Sequence, residues 1–190
     1  MTETITSPIR FKDTPSGTRR VVRETALRVL YALDAGKREG ETDAVLADNA
    51  DAAELSSAAR AQMTALVAGV TSNRRPIDAE LDKYATDFPT HRQAVVDRNI
   101  LRLAVAEIAF GVTDAPAGAV VNEAVELAKK YSTKDSGRFV NGVLGALVRA
   151  RDTSFVPEPE SDSDEILPPL PQRFWGDAPL TDEAKDEADA

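Results

Sequence analysis

Within TRRVVRETALRVLY, residues 18–31, three arginines fall in five positions: Arg19, Arg20 and Arg23. Residues three and four apart share a helix face, so a helix here would bring 19 and 20 each beside 23. Guanidinium groups so placed can fix phosphates. A cation in the first turn of a helix opposes the helix dipole, at roughly 0.3–1 kcal/mol each, and an anionic ligand would offset that cost. The purely structural account pairs Arg23 with Glu24 or another acid and leaves the other two solvated. A second basic set, Lys129, Lys130, Lys134 and Arg138, surrounds the polar stretch YSTKDS at 131–136. If folding sets that stretch beside the first helix, the two sets merge into one basic surface. Tyr31, Tyr131 and Phe139 would then offer ring faces to unpaired bases. The core competes for the same rings: Phe139 opens an apolar stripe continued by Val143, Leu144 and Leu147, and Tyr31 follows Leu30.

Reactive chemistry is not indicated. His91 is the only histidine and there are no cysteines, which removes thiolate nucleophiles, disulfides and thiolate metal sites and suits a reducing, cytoplasmic setting. No glycine-rich phosphate loop, HExxH element or serine elbow occurs. The carboxylate pairs Glu123/Glu126 and Asp78/Asp82 have ordinary helical spacing and read as solvated faces. We therefore expect a binding protein, not an enzyme, with neither cofactor nor metal.

These residues must be positioned by helices. Val22, Ala26, Val29, Leu30 and Leu33 form a stripe at three-to-four spacing, which predicts a first helix from Thr18, as N-cap, to about Asp34, stopped at Gly36. A short helix fits around Val45–Leu46 within an otherwise acidic loop. Further helices are expected over 54–70, from Pro76 toward Phe88, from His91 to Phe110, over 118–131 and over 136–149. The helix from His91 is apolar around much of its circumference and should be central. Asn122 reads as a cap of the helix over 118–131. Asn141 needs a partner inside the helix over 136–149, while Gly142 and Gly145 permit close helix approach. The fold class is all-α, a compact bundle of six or seven helices over 18–150.

Residues 1–17 lack periodicity and read as a flexible leader without a signal-peptide-type stretch, and no apolar run is long enough to cross a membrane. Residues 151–190 read as an acidic, proline-rich disordered tail. The net charge of −9 resides there: residues 16–150 hold 18 acidic and 18 basic groups, whereas 151–190 hold 12 acidic and 3 basic. The folded body is neutral, so the acidity of the whole chain does not exclude a polyanionic ligand.

RRVVRETALRVLYALD at 19–34, IDAELDKY at 77–84, VVDRNILRLAVAEI at 95–108 and VVNEAVELAKKYSTKDSGRFVNGVL at 120–144 together resemble the NusB family of bacterial transcription antitermination factors. The resemblance covers residues 18–150. It implies an all-helical monomer or homodimer that binds boxA-type single-stranded RNA together with the NusE-type small-subunit ribosomal protein. The assembly would join the RNA polymerase elongation complex during ribosomal RNA synthesis. Carried over by motif position, RNA contacts fall on Arg19, Arg20, Arg23, Tyr31, Asp135, Ser136 and Phe139, and protein-partner contacts on Asp97 and Arg98. The sequence departs from the family pattern where Val21 and Val22 interrupt the basic run and where Gly137 replaces a bulkier polar residue. Val21, Val22 and the acidic tail leave room for a second reading, a protein-only helical adaptor or homodimer with weak RNA binding.

Overall fold

A computed structural model of the chain describes residues 9–11 and 14–151. Seven α-helices follow in order: α1 Ser16–Ala35, α2 Thr42–Ala52, α3 Ser57–Ser72, α4 Arg74–Leu81, α5 Val95–Ala109, α6 Ala117–Tyr131 and α7 Ser136–Arg151. Short 3-10 turns at Glu39–Glu41 and Thr90–Arg92 precede α2 and α5.

The central helix is α5, which packs against α1, α3, α4, α6 and α7. Ile100, Leu101, Leu103, Ala104, Val105 and Ala106 are all buried, as are Asp97, Asn99, Arg102 and Glu107 of the same helix. A helix buried on every side cannot leave its charges in water, so each must find a partner inside the bundle. Those partners tie the fold together. Asp34 at the end of α1 accepts from Arg98 Nε at 3.0 Å, Asn99 Nδ2 at 3.1 Å and Arg102 Nη1 at 2.8 Å. Arg74 Nη2 reaches its other oxygen at 3.2 Å. Arg102 turns the rest of its guanidinium to Asp78 of α4, at 2.7 and 2.8 Å. One carboxylate thus joins the ends of α1, α4 and α5.

Several boundaries differ from expectation. The first helix starts at Ser16 with Pro15 as its N-cap and no side-chain cap, so Thr18 lies within the helix. The stretch expected as one helix from His91 is broken, because Gln93 and Ala94 adopt extended backbone between the 3-10 turn and α5. His91 is exposed in that turn. Asn122 caps nothing, since α6 already begins at Ala117 and Asn122 faces solvent within it. Asn141 is half-buried within α7.

Part of the expected leader is fixed in place. Ile9 N donates to Val112 O at 2.7 Å, Asp114 N returns a bond to Ile9 O at 3.0 Å, and the two segments form a single parallel bridge. Phe11 N donates to Asp114 Oδ1 at 2.6 Å, and its side chain is fully buried. A phenyl ring with no solvent exposure is core, and that burial overrides the lack of local periodicity. The loop receiving it turns at Gly111, whose φ of +62° suits glycine. Val112 then presses on α3 so closely that a Cβ at Gly69 would lie 2.7 Å from Val112 Cγ2. The remaining leader positions, 1–8 and 12–13, and the acidic segment 152–190 lie outside the described residues.

Candidate nucleic-acid interface

The two basic sets are linked by side-chain ion pairs between α1 and α6. Arg20 Nε and Nη2 reach the Glu123 carboxylate at 3.1 and 3.2 Å, and Lys130 Nζ reaches Glu24 Oε1 at 2.7 Å. Hydrogen bonding to Glu123 raises the pKa of Arg20 further. Burial lowers that of Lys130, but the hydrogen bonds and charges of Glu24 and Tyr131 together outweigh it and leave a net rise. Positions 20, 24, 27 and 31 follow one stripe of α1 by the helical repeat, and fully buried Leu27 stands between Glu24 and half-buried Tyr31. Side-chain ion pairs thus link α1 to α6, and two of the cations, Arg20 and Lys130, are already matched by acids. Lys129 likewise meets Glu126 at 3.3 Å.

The three arginines of α1 separate in space. Arg20 is about half exposed, at 51%. Arg19 is half-buried, with no acid partner among the described residues. Arg23 turns inward, 4% exposed, and its guanidinium makes a two-pronged bond to Glu107 of α5 at 2.7 and 2.8 Å. Thr113 Oγ1 donates to the same carboxylate at 2.8 Å, and the buried Phe11 ring lies 4.9 Å from the guanidinium carbon. Expected as a phosphate contact, Arg23 instead locks α1 to α5 below the surface. The adjoining valines divide similarly: Val22 is buried, while Val21 stays 40% exposed beside Arg20.

The polar turn between α6 and α7 also splits into an inner and an outer half. Ser136, expected to face RNA, is 3% exposed. Its hydroxyl donates to Asp97 Oδ2 at 2.9 Å, accepts from Thr133 N at 3.2 Å, and lies 2.8 and 2.9 Å from the Thr133 and Ser132 hydroxyls. This cluster fixes the turn against the first turn of α5. The outer half holds Lys134, Asp135 and Arg138, all exposed, and Phe139, half-buried. Gly137 is covered by the Lys129 stem: a Cβ there would lie 3.1 Å from Lys129 Cγ. Tyr131 is buried at 3% exposure with Lys130 Nζ 5.0 Å from its ring, and so offers no open face.

Asp97 and Arg98, expected to meet a protein partner, are engaged internally. Asp97 is 8% exposed and bonded to Ser136; Arg98 bonds to Asp34. Asp97 is buried and Arg98 half-buried in these internal bonds. The sequence reading overlooked Phe88, which is 55% exposed and packs edge-on against Phe139 with centroids 6.3 Å apart. It also overlooked the ionic ties of Arg102 and Glu107. Their signal was present, as charges inside the apolar run ILRLAVAEI. Among the described residues no set of three or more His, Cys, Asp or Glu could hold a metal, and no helix is long and apolar enough to cross a membrane.

The described residues form an all-helical bundle with a polar, aromatic-edged turn between α6 and α7. The NusB family sequence profile matches residues 20–149. A transcription antitermination protein NusB from Elusimicrobium minutum is 37% identical over 139 residues, spanning 71% of this chain and 96% of its own. Its counterpart from Desulforamulus reducens is 42% identical over 136 residues, 70% of this chain and 92% of its own. A crystal structure of antitermination factors NusB and NusE with double-stranded RNA superposes with a TM-score of 0.63 at 32% identity, covering 72% of this chain and 99% of that one. The chain belongs to the NusB family, with that family's non-enzymatic role in transcription antitermination.

Proposed function

We propose that the chain binds boxA-type single-stranded RNA jointly with a NusE-type small-subunit ribosomal protein. The pair would act in the cytoplasm on the RNA polymerase elongation complex during ribosomal RNA synthesis. The observation that carries this reading is the outer half of the α6–α7 turn, where Lys134, Asp135 and Arg138 are exposed beside half-buried Phe139. Helix α1, tied to α6 through Arg20–Glu123 and Lys130–Glu24, would add Arg19, Arg20 and Tyr31. Lys134, Arg138 and Arg19 supply charge for phosphates, Phe139 and Tyr31 supply rings, and Asp135 accepts from base amines or ribose hydroxyls. Arg23, Ser136, Asp97 and Arg98 hold that surface in shape from within. The solved complex of a NusB with NusE and RNA supports the pairing of ligands.

A titration with labelled boxA-type RNA, a scrambled strand and a double-stranded form, each with and without the ribosomal protein, tests the reading. Preference for the specific single strand, strengthened by the protein, is expected. Arg19→Gln and Lys134→Gln should each lower affinity on all sequences and reduce the slope of log K against log salt by about 0.7. Binding to the ribosomal protein with no RNA preference at any salt concentration would instead establish the adaptor reading. That second reading draws on the matched charges of Arg20 with Glu123 and Lys130 with Glu24.

A further inference from the structure

Phe88 lies in the connection between α4 and α5, and its exposure alone says little, since much of any protein surface is apolar. The informative feature is how firmly its backbone is held. Phe88 N donates to Ala85 O at 3.1 Å, and its carbonyl accepts from Gln93 Nε2 at 2.8 Å. Two residues on, Thr90 N donates to Asp82 Oδ1 at 2.7 Å and the Thr90 hydroxyl bonds the same oxygen. The loop is thus tied on both sides of an aromatic ring that remains 55% in solvent. A ring displayed at a fixed place loses little further conformational entropy when a ligand stacks on it.

Its neighbours indicate which ligand. The ring meets Phe139 edge-on, at an interplanar angle of 76°. Arg92, exposed and without an acid partner among the described residues, carries its guanidinium carbon 5.9 Å from the Phe88 centroid. Protein-binding hot spots sit within a wider apolar patch that excludes water. Among the described residues the other large exposed hydrophobic is Val21, on α1. One exposed ring with the edge of half-buried Phe139 and a cation beside it does not make such a patch. It does suffice for an unpaired base, which needs one ring face and one charge for its phosphate.

We propose that Phe88 is a second base-stacking ring and that Arg92 fixes the phosphate of the nucleotide stacked on it, extending the RNA path from Phe139 onto the α4–α5 loop. The inference rests on the RNA-binding reading above. It is tested in the full-length chain with Phe88→Ala, Phe88→Trp and Arg92→Gln, each checked by thermal melting. In a Trp175→Phe background, Phe88→Trp gives the chain a single tryptophan. Phe88→Ala should weaken binding of boxA-type RNA about 5- to 100-fold and leave affinity for the ribosomal protein alone unchanged. Phe88→Trp should bind RNA at least as well as wild type, with its emission quenched by RNA. Arg92→Gln should lower the salt slope by about 0.7. Wild-type RNA affinity in Phe88→Ala, or an emission change with the ribosomal protein but none with RNA, would overturn the platform while leaving the RNA reading standing. Failure of the wild-type chain to bind RNA would overturn both.

Discussion

At the scale of single residues, Asp34 illustrates how far this fold relies on charges that never reach the surface. Its carboxylate accepts from Arg98, Asn99 and Arg102, with Arg74 on its second oxygen. Burial pushes its pKa up, but the Arg98 hydrogen bond and the charges of Arg102 and Arg98 outweigh that and hold it below the usual carboxylate value. A carboxylate with a depressed folded pKa contributes stability that is complete above its unfolded pKa, near 4, and is lost as pH falls through the folded value. Asp34→Asn should cost about 3 kcal/mol at pH 7, the lower end for a broken buried pair, because Arg102 keeps Asp78. The gap between wild type and variant, followed by urea unfolding across pH, should stay constant from pH 7 to 5 and narrow below about pH 4. A gap that persists unchanged at pH 2.5 would show that the charge of Asp34 does not set the loss.

Between elements, the tie of α1 to α5 depends on Arg23 and Glu107, both buried, with side-chain exposures of 5% and 1%. Removing one partner strands the other charge in a dry site and should cost about 3–5 kcal/mol, whereas removing both exchanges the pair for apolar contact. Glu107→Leu and Arg23→Met should therefore each destabilise strongly, and the double variant should recover most of the loss. A cycle of urea-unfolding measurements checks this, and additive losses would refute it. The same pair marks the limit of what the sequence reveals. The stripe Val22, Ala26, Val29, Leu30, Leu33 made α1 legible, because a three-to-four repeat is a local property. Only Val45 and Ala50 are buried in α2, so its helix was glimpsed around Val45–Leu46 and its extent was not. Arg23 and Glu107 stand 84 positions apart, and no spacing rule announces such a partner. For the same reason the clusters at 18–23 and 129–138 could be recognised as basic, but not divided into the surface groups Arg19, Arg20 and Lys134 and the interior group Arg23. Phe88 is not legible as a surface ring because the sequence predicts a helix running toward it from Pro76, whereas α4 ends at Leu81.

Across the whole molecule, the net charge is concentrated in the C-terminal segment. The body is neutral over 16–150, while 151–190 carries 12 acids against 3 bases. Arg151, the first residue of that segment, ends α7 and donates to Ala109 O at 3.3 Å, so a truncation that preserves the bundle stops after it. The remaining acids are covalently tethered at one end of α7, the helix that begins at the proposed RNA surface. Tethering gives them an effective concentration near that surface independent of protein concentration, and like charge there raises the electrostatic cost of bringing in RNA. Removing 152–190 should therefore tighten RNA binding, and the gain should shrink as salt rises, because screening weakens the repulsion over about 10 Å at 0.1 M. The comparison is a pair of titrations, full-length and truncated, at low and at physiological salt. Equal affinities at low salt would show that the acidic segment does not compete with RNA. A gain that survives high salt unchanged would replace electrostatic competition with direct steric cover of the site.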